Sequence, residues 1–246
     1  MSKEHRQVRD GAQSGSTEKT SRRAWAFERG RLWVIELVGE EQAPAPVPSV
    51  IPAVFGEARP ELAEQLAQAM EISGVDPILQ RFSSGRRCFT ARVQGQIAAY
   101  CWISQAPECI GELDLEINIP DSEAYVWDCA TLPAFRRKRL YIALLNYLIA
   151  RLSDEGLERV WIGASLSNRP SQRAFARARF LPVISLFYVR LFSLGCMLVS
   201  EDPHAPENLV AAARSRLFSR QERAWGPLLF RLSNPSQLSA CIQAEN

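Results

Sequence analysis

Hydrophobic and polar residues follow two different periods along the chain. Alternation with a period of two is typical of strands, and a spacing of three to four residues is typical of amphipathic helices. Strands are predicted at 25–38 (or a short hairpin turning near Gly30), 87–94, 96–104, 112–119, 123–130, 159–166, 181–192 and 195–200. Helices are predicted at 60–73, 77–82, 140–155, 171–180, 206–224 and 234–243. This order indicates an α/β fold of the α+β type, a mixed sheet with helices on its faces.

The chain is predicted to contain one domain with an extension at each end. Residues 1–24 are polar, and we expect them to be a disordered tail. Residues 25–202 form the predicted domain, in which four prolines between positions 44 and 52 impose an extended connector. The pattern changes after Pro203, so residues 203–246 are predicted to be a C-terminal helical extension that packs on the domain or on a partner.

Two neighbouring segments carry acidic residues beside the predicted sheet. The segment 112–119 alternates strictly and places Glu112, Asp114 and Glu116 on one face. These carboxylates would either supply a general base near an amine or form the solvent-exposed face of an antiparallel strand. The next segment, 123–130, is more apolar, so we expect its strand to lie near the centre of the sheet.

Composition and charge exclude several classes of function. The 246 residues carry a formal net charge of only +2, which gives no reason to expect nucleic-acid binding. No two of the six cysteines have CxxC spacing and both histidines lie near the ends, so we expect reduced thiols and no metal site. The N-terminus lacks the apolar core of a signal peptide, and no apolar run approaches the length of a membrane span. We therefore expect a cytoplasmic protein without membrane contact.

A basic turn joins the predicted strand 123–130 to the helix that follows it. The turn contains the four consecutive cations Arg136, Arg137, Lys138 and Arg139. The first amides of a helix have no partners within the helix, and the helix dipole is positive at that end. A strand that runs through a basic turn into a helix N-terminus is therefore predicted to bind an anion, best a phosphate or pyrophosphate.

The two segments TLPAFRRKRLY and SNRPSQRAFARARF give the chain a family resemblance. Together with the intervening strand, they resemble the signature of the GNAT N-acyltransferase superfamily over roughly residues 87–192. The resemblance implies a GNAT-like fold and acetyl-CoA or another acyl-CoA as co-substrate. It further implies a site in which the turn holds the pyrophosphate, the end of the strand runs along the pantetheine, and an asparagine faces the cofactor. The residues at these positions are Arg136, Arg137, Lys138, Arg139, Leu140 and Tyr141 for the pyrophosphate, Cys129, Ala130 and Thr131 for the pantetheine, and Asn168.

Several positions depart from the family pattern. Arg139 and Arg179 stand where the family has glycine, and Tyr141 occupies the second glycine of the turn. Arg139 must therefore adopt helical backbone angles, or the turn must change its shape. A tyrosine that often protonates the departing thiolate is replaced by Phe175, and Tyr125 stands where some members have a general-base glutamate.

Catalytic groups can still be suggested. Glu123 shares a strand face with Tyr125 and Trp127 and is the candidate base. Tyr141 could donate a hydrogen bond to phosphate or thiolate, or it could pack on the helix. Cys129 could act as an acyl-accepting nucleophile, or it could be a small core residue whose backbone alone is used.

The resulting hypothesis is an N-acyltransferase. It would move an acetyl or other acyl group from acyl-CoA to a small-molecule amine or a protein amine, by direct attack in a ternary complex. The alternative is a catalytically degenerate GNAT fold that binds a ligand or a partner. An aminoacyl-transferase that uses charged tRNA is a third possibility, against which the low net charge speaks. The last strands could also pair across a homodimer.

Overall fold

Eleven strands occur in the part of the chain that the computed structural model describes, which is residues 25–37, 47–110, 113, 115–191, 194–218 and 228–232. They are β1 (Trp25–Glu36), β2 (Val54–Ala58), β3 (Arg87–Val93), β4 (Gln96–Ser104), β5 (Glu108–Ile110), β6 (Leu115–Ile117), β7 (Glu123–Thr131), β8 (Arg159–Ser165), β9 (Leu181–Leu191), β10 (Leu194–Glu201) and β11 (Leu228–Leu232). Nine of them form one sheet in the order β11-β10-β9-β1-β8-β7-β4-β3-β2, and β5 and β6 form a separate ribbon. The fold is therefore a mixed α/β sheet, as predicted.

The centre of the sheet contains a parallel pair, β7 and β8, whereas the other described neighbours are antiparallel. A parallel pair needs a crossover, and here the helix between the two strands supplies it. The prediction that the strand at 123–130 is central is confirmed, since β7 lies between β4 and β8.

Five α-helices accompany the described strands. They are α1 (Ala63–Met70), α2 (Asp76–Ser83), α3 (Leu140–Asp154), α4 (Arg169–Arg177) and α5 (Glu207–Leu217). The predicted apolar stripe of α3, from Leu140 to Leu152, is buried along its length. Because that stripe faces the sheet, α3 is fixed on one side of it. No helix in the described ranges has the length and apolar character that a membrane crossing requires.

The helices divide between the two faces of the sheet. Leu144 of α3 and Phe175 of α4 share one core cluster with the strands. On the opposite face, Leu209 of α5 belongs to a second cluster, while Leu66 of α1 and Ile78 of α2 belong to a third. The sheet thus separates an α3–α4 face from a face covered by α1, α2 and α5.

Some predicted elements differ from the observed ones. Residues 25–36 form one strand without a turn at Gly30, and the helix predicted at 60–73 is a 3-10 turn at Pro60–Leu62 followed by the shorter α1. The strand predicted at 112–119 is reduced to β6, which pairs with β5 and does not join the main sheet. Its alternation was nevertheless informative, because Leu115 and Ile117 are buried and Glu116 between them is exposed.

The C-terminal region differs from the helical extension predicted for 203–246. The helix predicted at 206–224 ends at Leu217, and β11 adds an edge strand to the main sheet. The predicted helix at 234–243 and the predicted tail at 1–24 lie outside the described residues. Among the cysteines, Cys88, Cys101, Cys129 and Cys196 are free thiols as expected, whereas Cys109 is disulfide-bonded.

Candidate functional site

The basic turn lies between β7 and α3. After β7 the chain forms a 3-10 turn at Pro133–Phe135, and α3 begins at Leu140. The amide of Ala143 bonds to the carbonyl of Arg139, so the amides before it open the helix. No side chain caps this end of α3. The opening amides of the helix and the positive end of its dipole therefore lie at the turn, as an anion site requires.

The backbone of the turn adopts glycine-like angles at two arginines. Arg137 has φ 64° and Arg139 has φ 58°, both in the left-handed region. Arg179, which also occupies a glycine position of the family pattern, has φ 66°. Of the two alternatives expected for Arg139, right-handed helical angles or a turn of altered shape, the first does not hold, because its φ is left-handed. The carbonyl of Lys138 accepts a hydrogen bond from the amide of Val50 at 2.9 Å, which fixes the turn from outside.

Replacing Arg139 by glycine is expected to stabilise the fold. A left-handed conformation costs a non-glycine residue about 1–2 kcal/mol, and the added chain entropy of glycine offsets about 0.5–1 kcal/mol of that gain. We expect a net gain of about 0.5–1 kcal/mol in the free energy of unfolding, measured by urea denaturation. Arg151→Gly is the matched control, since Arg151 lies in the regular part of α3, and it should lose about 1 kcal/mol. A lower free energy of unfolding in both variants would show that the backbone at Arg139 is not strained.

A cleft of about 760 Å³ opens above this turn on the α3–α4 face. All ten residues predicted to hold the cofactor line it, and so do residues of α4. The predicted set is Cys129, Ala130, Thr131, Arg136, Arg137, Lys138, Arg139, Leu140, Tyr141 and Asn168. Sequence reasoning missed Arg173 and Arg177, whose spacing of four on α4 places them on one helical face. The name basic cleft is used below for this cavity.

Asn168, which the family resemblance places at the cofactor, is the N-cap of α4. Its Oδ1 accepts a hydrogen bond from the amide of Ser171 at 3.2 Å, which starts α4. An N-cap of this kind typically contributes about 1 kcal/mol to stability. Asn168 therefore orients the helix that forms the second wall of the basic cleft.

Tyr141 brings a phenol to the end of β7 inside the basic cleft. Burial raises the pKa of the Tyr141 hydroxyl well above its usual value, and the neighbouring thiols of Cys129 and Cys101 add to the shift. The hydroxyl also shares a hydrogen bond with the Cys129 thiol, which itself donates to the carbonyl of Trp127. Tyr141 thus presents a protonated hydroxyl to the basic cleft at neutral pH.

Glu123 does not have the surroundings of a general base. The carboxylate is 1% exposed and accepts hydrogen bonds from Arg159, Arg216 and Trp161, with distances of 2.6 to 3.1 Å. Burial would raise the pKa of Glu123, but the hydrogen bonds from Arg216, Trp161 and Arg159 outweigh it and hold the pKa below its usual value. Because both oxygens are occupied and the proton affinity is low, we withdraw the assignment of Glu123 as base and give it a structural role.

A second cavity of about 510 Å³ opens on the other face of the sheet. Its apolar wall includes Trp127 and side chains from β1, β9, the β5–β6 ribbon and α5. These are Leu32, Ile110, Leu113, Leu186 and Leu217. Polar groups come from Glu28, Tyr125, Asp128, Ser165 and Arg81. The name acceptor cavity is used for it below, and sequence reasoning did not find it because its walls are far apart in the chain.

Asp128 stands at a bulge between the two cavities. The pairing of β4 with β7 shifts between Cys101 and Trp102, which leaves Asp128 as the extra residue, with φ 40°. A bulge re-aims the side chain it carries. The Asp128 carboxylate lines the acceptor cavity, and the next residue, Cys129, lines the basic cleft. A charged residue inside the apolar run of β7 was the available sequence signal for this position.

Arginines hold Trp127 and Asp128 in place. Arg81 donates from Nη1 to Oδ2 of Asp128 at 2.5 Å, and its guanidinium lies 4.7 Å from the centre of the Trp127 ring. The indole of Trp127 donates to the hydroxyl of Ser104, which donates to the buried Glu108. Arg86 completes the network with two hydrogen bonds to Glu108 at 2.7 and 2.8 Å. The wall of the acceptor cavity is therefore rigid at this point.

The two cavities approach each other where β7 and β8 diverge. Their parallel pairing covers only Glu123–Val126 and Arg159–Ile162, although both strands continue beyond it. The parts that no longer pair with each other include Asp128 and Cys129 on β7, which still pairs with β4, and Gly163 on β8, which still pairs with β1. An opening in the sheet at this position connects groups on its two faces.

Within the described residues, no group of three His, Cys, Asp or Glu side chains is arranged to hold a metal ion. The site chemistry available there is that of amides, arginines, the Tyr141 hydroxyl, the Cys129 thiol and the Asp128 carboxylate.

Comparison with solved structures finds acetyltransferases at low identity. A GCN5-related N-acetyltransferase from Sphaerobacter thermophilus is 14% identical, with 72% of this chain and 52% of that chain covered and a TM-score of 0.49. A GNAT-family acetyltransferase from Colwellia psychrerythraea is 13% identical, with 67% and 56% covered and a TM-score of 0.47. The ribosomal-protein-S18-alanine N-acetyltransferase from Escherichia coli is 14% identical, with 57% and 94% covered and a TM-score of 0.44. The chain thus spans about half the length of the first two.

Comparison with families is more specific. No curated protein matches the sequence. The sequence model of the acetyltransferase (GNAT) family, in contrast, matches residues 53–180, which is more than half of the chain. The match includes the basic turn, α3 and α4, and it excludes β1, β9, β10 and α5. The chain belongs to the acetyltransferase (GNAT) family.

Proposed function

We propose that the protein is an N-acyltransferase that moves an acetyl or other acyl group from acyl-CoA to an amine. The observation that carries this proposal is the position of Asp128 and Cys129. These consecutive residues line cavities on opposite faces of the sheet, at the place where β7 and β8 diverge. A donor in one cavity and an acceptor in the other would therefore meet at the end of the paired part of β7.

The basic cleft is assigned to acyl-CoA. The opening amides of α3 and the arginines of the turn and of α4 supply the donors and the positive charge that a pyrophosphate needs. Residues 129–131 continue from the bulge toward the turn, so they extend along the path of the pantetheine. This use of the family's co-substrate requires backbone amides more than particular side chains, which explains why the turn works without glycine.

The transfer forms a bond between the amine nitrogen and the acyl carbon, and it breaks the bond between that carbon and the sulfur of coenzyme A. The acceptor, bound as an ammonium ion, first loses one proton to water, and the free amine nitrogen then attacks the thioester carbon while main-chain amides of residues 129–131 stabilise the negative oxygen that forms. The C–S bond then breaks, and the second proton of the attacking nitrogen leaves to the Asp128 carboxylate or to water. Because Asp128 lies on the acceptor side of the opening, it is placed to receive that proton.

Tyr141 is assigned as the proton donor to the departing thiolate. Its hydroxyl lies beside Cys129 at the inner end of the basic cleft, and its raised pKa keeps it protonated. A neutral phenol donating to a developing thiolate speeds the departure of the leaving group. Phe175, at the position where the family often has a tyrosine, is 1% exposed and packs against Tyr141 with ring centres 6.4 Å apart. The phenol of Tyr141 therefore occupies the same neighbourhood.

Replacing Tyr141 by phenylalanine is expected to lower kcat about 10²- to 10⁴-fold, the usual contribution of a positioned acid. The measurement is the release of coenzyme A thiol from acetyl-CoA in the presence of a panel of primary amines, with acetylated amine identified by mass spectrometry. Tyr147→Phe is the control, because Tyr147 lies on the same helix and stacks on Phe55 outside the basic cleft. It should keep full activity, and equal activity of both variants would remove Tyr141 from the mechanism.

One observation favours the alternative of a binding protein without catalysis. The acid that relatives often carry on the second helix is absent here, since Phe175 is a core residue. In the same assay, binding of coenzyme A without thiol release for any amine would support that alternative and would contradict the proposed transfer.

A further inference from the structure

The residues that line the acceptor cavity favour some classes of amine over others. Its wall includes six large apolar side chains, of which Trp127 and Ile110 are partly exposed and Leu32, Leu113, Leu186 and Leu217 are already buried. The volume of about 510 Å³ falls in the range of sites for drug-sized ligands. A polar or polyanionic acceptor would lose its hydration against this wall without gaining partners. An acceptor with an apolar body would be stabilised by burial.

The arginines of the acceptor cavity are already engaged. Arg31 donates to the hydroxyl of Ser185 at 2.9 Å, and Arg29 lies 4.6 Å from the centre of the Phe27 ring. Arg81 is buried against Trp127 and paired with Asp128. Only Arg81 is thus paired with a carboxylate, whereas the described contacts of Arg29 and Arg31 are with rings and a hydroxyl. It is the apolar part of the wall that disfavours a strongly hydrated acceptor.

Asp128 supplies a carboxylate directed at the same space. Arg81 contacts its Oδ2, and within the part of the chain that the structure describes Oδ1 has no hydrogen-bond partner. The Asp128 side chain keeps 31% of its exposure in the cavity wall. A partly exposed carboxylate beside an apolar wall binds an ammonium group through a charge-assisted hydrogen bond.

Two glycines keep the floor of the acceptor cavity open. A Cβ atom at Gly163 would lie 3.3 Å from the hydroxyl oxygen of Tyr125, and a Cβ atom at Gly30 would lie 3.4 Å from Cδ1 of Leu113. Any larger side chain on the cavity side of these strands would occupy the space of a ligand. Gly163 also lies just beyond the end of the pairing between β7 and β8, on the part of β8 that pairs only with β1.

We propose that the acceptor cavity binds a small primary amine carried on an alkyl or aromatic body, with the ammonium group on Asp128 and the body against the apolar wall that includes Trp127 and Ile110. The proposal rests on the proposed acyl transfer and specifies its acceptor. Leu32, Leu186 and Leu217 come from β1, β9 and α5, which lie outside the region matched by the family. Part of the wall that selects the acceptor thus comes from outside the region that the family model matches.

The test is calorimetric titration of 2-phenylethylamine into the full chain in the presence of unacylated coenzyme A, so that no turnover is needed. We expect binding at least tenfold tighter than that of 2-phenylethanol, which has the same body without the charge. In a series of linear alkylamines, affinity should rise about fourfold per added methylene, the increment of a buried CH₂. Spermidine and glutamate should bind at least tenfold more weakly than 2-phenylethylamine.

Two variants locate the ligand. Asp128→Asn should remove the difference between the amine and the alcohol. Gly163→Val should weaken binding of the amine at least tenfold without leaving Arg81 unpaired. Gly56→Val is the matched control, because Gly56 lies on β2 with no atom within 4 Å of an added Cβ. It should bind the amine as the wild type does.

The outcomes separate the acceptor class from the transfer reaction. If polar amines are acetylated and 2-phenylethylamine does not bind, or if Gly163→Val binds it normally, the acceptor class is overturned and the transfer reaction stands. If 2-phenylethylamine binds with the expected pattern but no amine is ever acetylated, the amine site is supported and the proposed transfer fails.

Discussion

Glu123→Ala is expected to destabilise the fold by about 3–5 kcal/mol, the usual cost of breaking a buried ion pair. The side chain is 1% exposed and joins two arginines from different elements, Arg159 of β8 and Arg216 of α5. Its removal leaves the Trp161 indole and the Arg216 guanidinium without this acceptor, reduces Arg159 to its hydrogen bonds with Glu36, and removes the ionic link between α5 and the sheet. Urea denaturation at pH 7 measures the loss.

Glu158→Ala is the control for this effect. Glu158 contacts the same Arg159 at 4.0 Å but is 53% exposed, so its removal should cost less than about 1 kcal/mol. If Glu123 were instead a base, its alanine variant would lose activity and keep its stability. That result would restore the assignment made from the sequence.

The stabilisation from Glu123 should also depend on pH. Its pKa is lowered in the folded protein, so the contribution is fully present above the unfolded pKa of about 4.3. It is lost as the pH falls through the lower folded value. The difference in the free energy of unfolding between the wild type and Glu123→Ala should therefore become smaller in denaturation curves recorded from pH 5 downward.

Arg136→Glu is expected to weaken coenzyme A binding about a hundredfold. A hydrogen bond to a charged group contributes about 1.5–3 kcal/mol, and the reversed charge adds repulsion at the pyrophosphate. Arg136 is exposed at the basic cleft and has extended backbone angles, so the substitution introduces no strain in the turn. Calorimetric titration of coenzyme A measures the change.

The matched control is Arg59→Glu, an exposed arginine before the 3-10 turn at Pro60–Leu62 and outside the basic cleft. It should bind coenzyme A within about twofold of the wild type, because charges beyond a Debye length of about 8–10 Å are screened. An equal loss in both variants would show a general charge effect, and no loss in Arg136→Glu would displace the site from the turn.

Much of the basic cleft could be predicted because its parts are local in sequence. The strand, the turn and α3 are consecutive, and the cap of α4 is fixed by the single residue Asn168. Hydrophobic periodicity alone identified the buried stripe of α3. These residues lie around one cavity because the segments that carry them are joined by short connections.

The errors came from long-range contacts. Glu123 shares a strand with Trp127, but its role is set by Arg216, which is 93 residues away and whose approach no local pattern reveals. The strand predicted at 112–119 had the right alternation, yet its partner is the short β5 and not the main sheet. The left-handed backbone of Arg139 was not predicted because intrinsic preference was weighed without the contacts around the turn, among them the hydrogen bond from Val50.

The acceptor cavity could not be predicted from the sequence for the same reason. Its walls come from β1, β7, β8, β9 and α5 and from the β5–β6 region, and they meet only in the folded chain. Asp128 was visible as a lone charge in an apolar strand, but the bulge that directs it into the cavity depends on the register between β4 and β7.

The central claim is that the basic cleft holds acyl-CoA. Hydrogen–deuterium exchange with and without saturating acetyl-CoA tests it directly, since it reports the amides that the ligand contacts. We expect slower exchange in peptides that cover 129–142 and the start of α4, and unchanged exchange in peptides that cover β2. Protection elsewhere, or none at saturation, would contradict the claim and remove the basis for acyl transfer at this site.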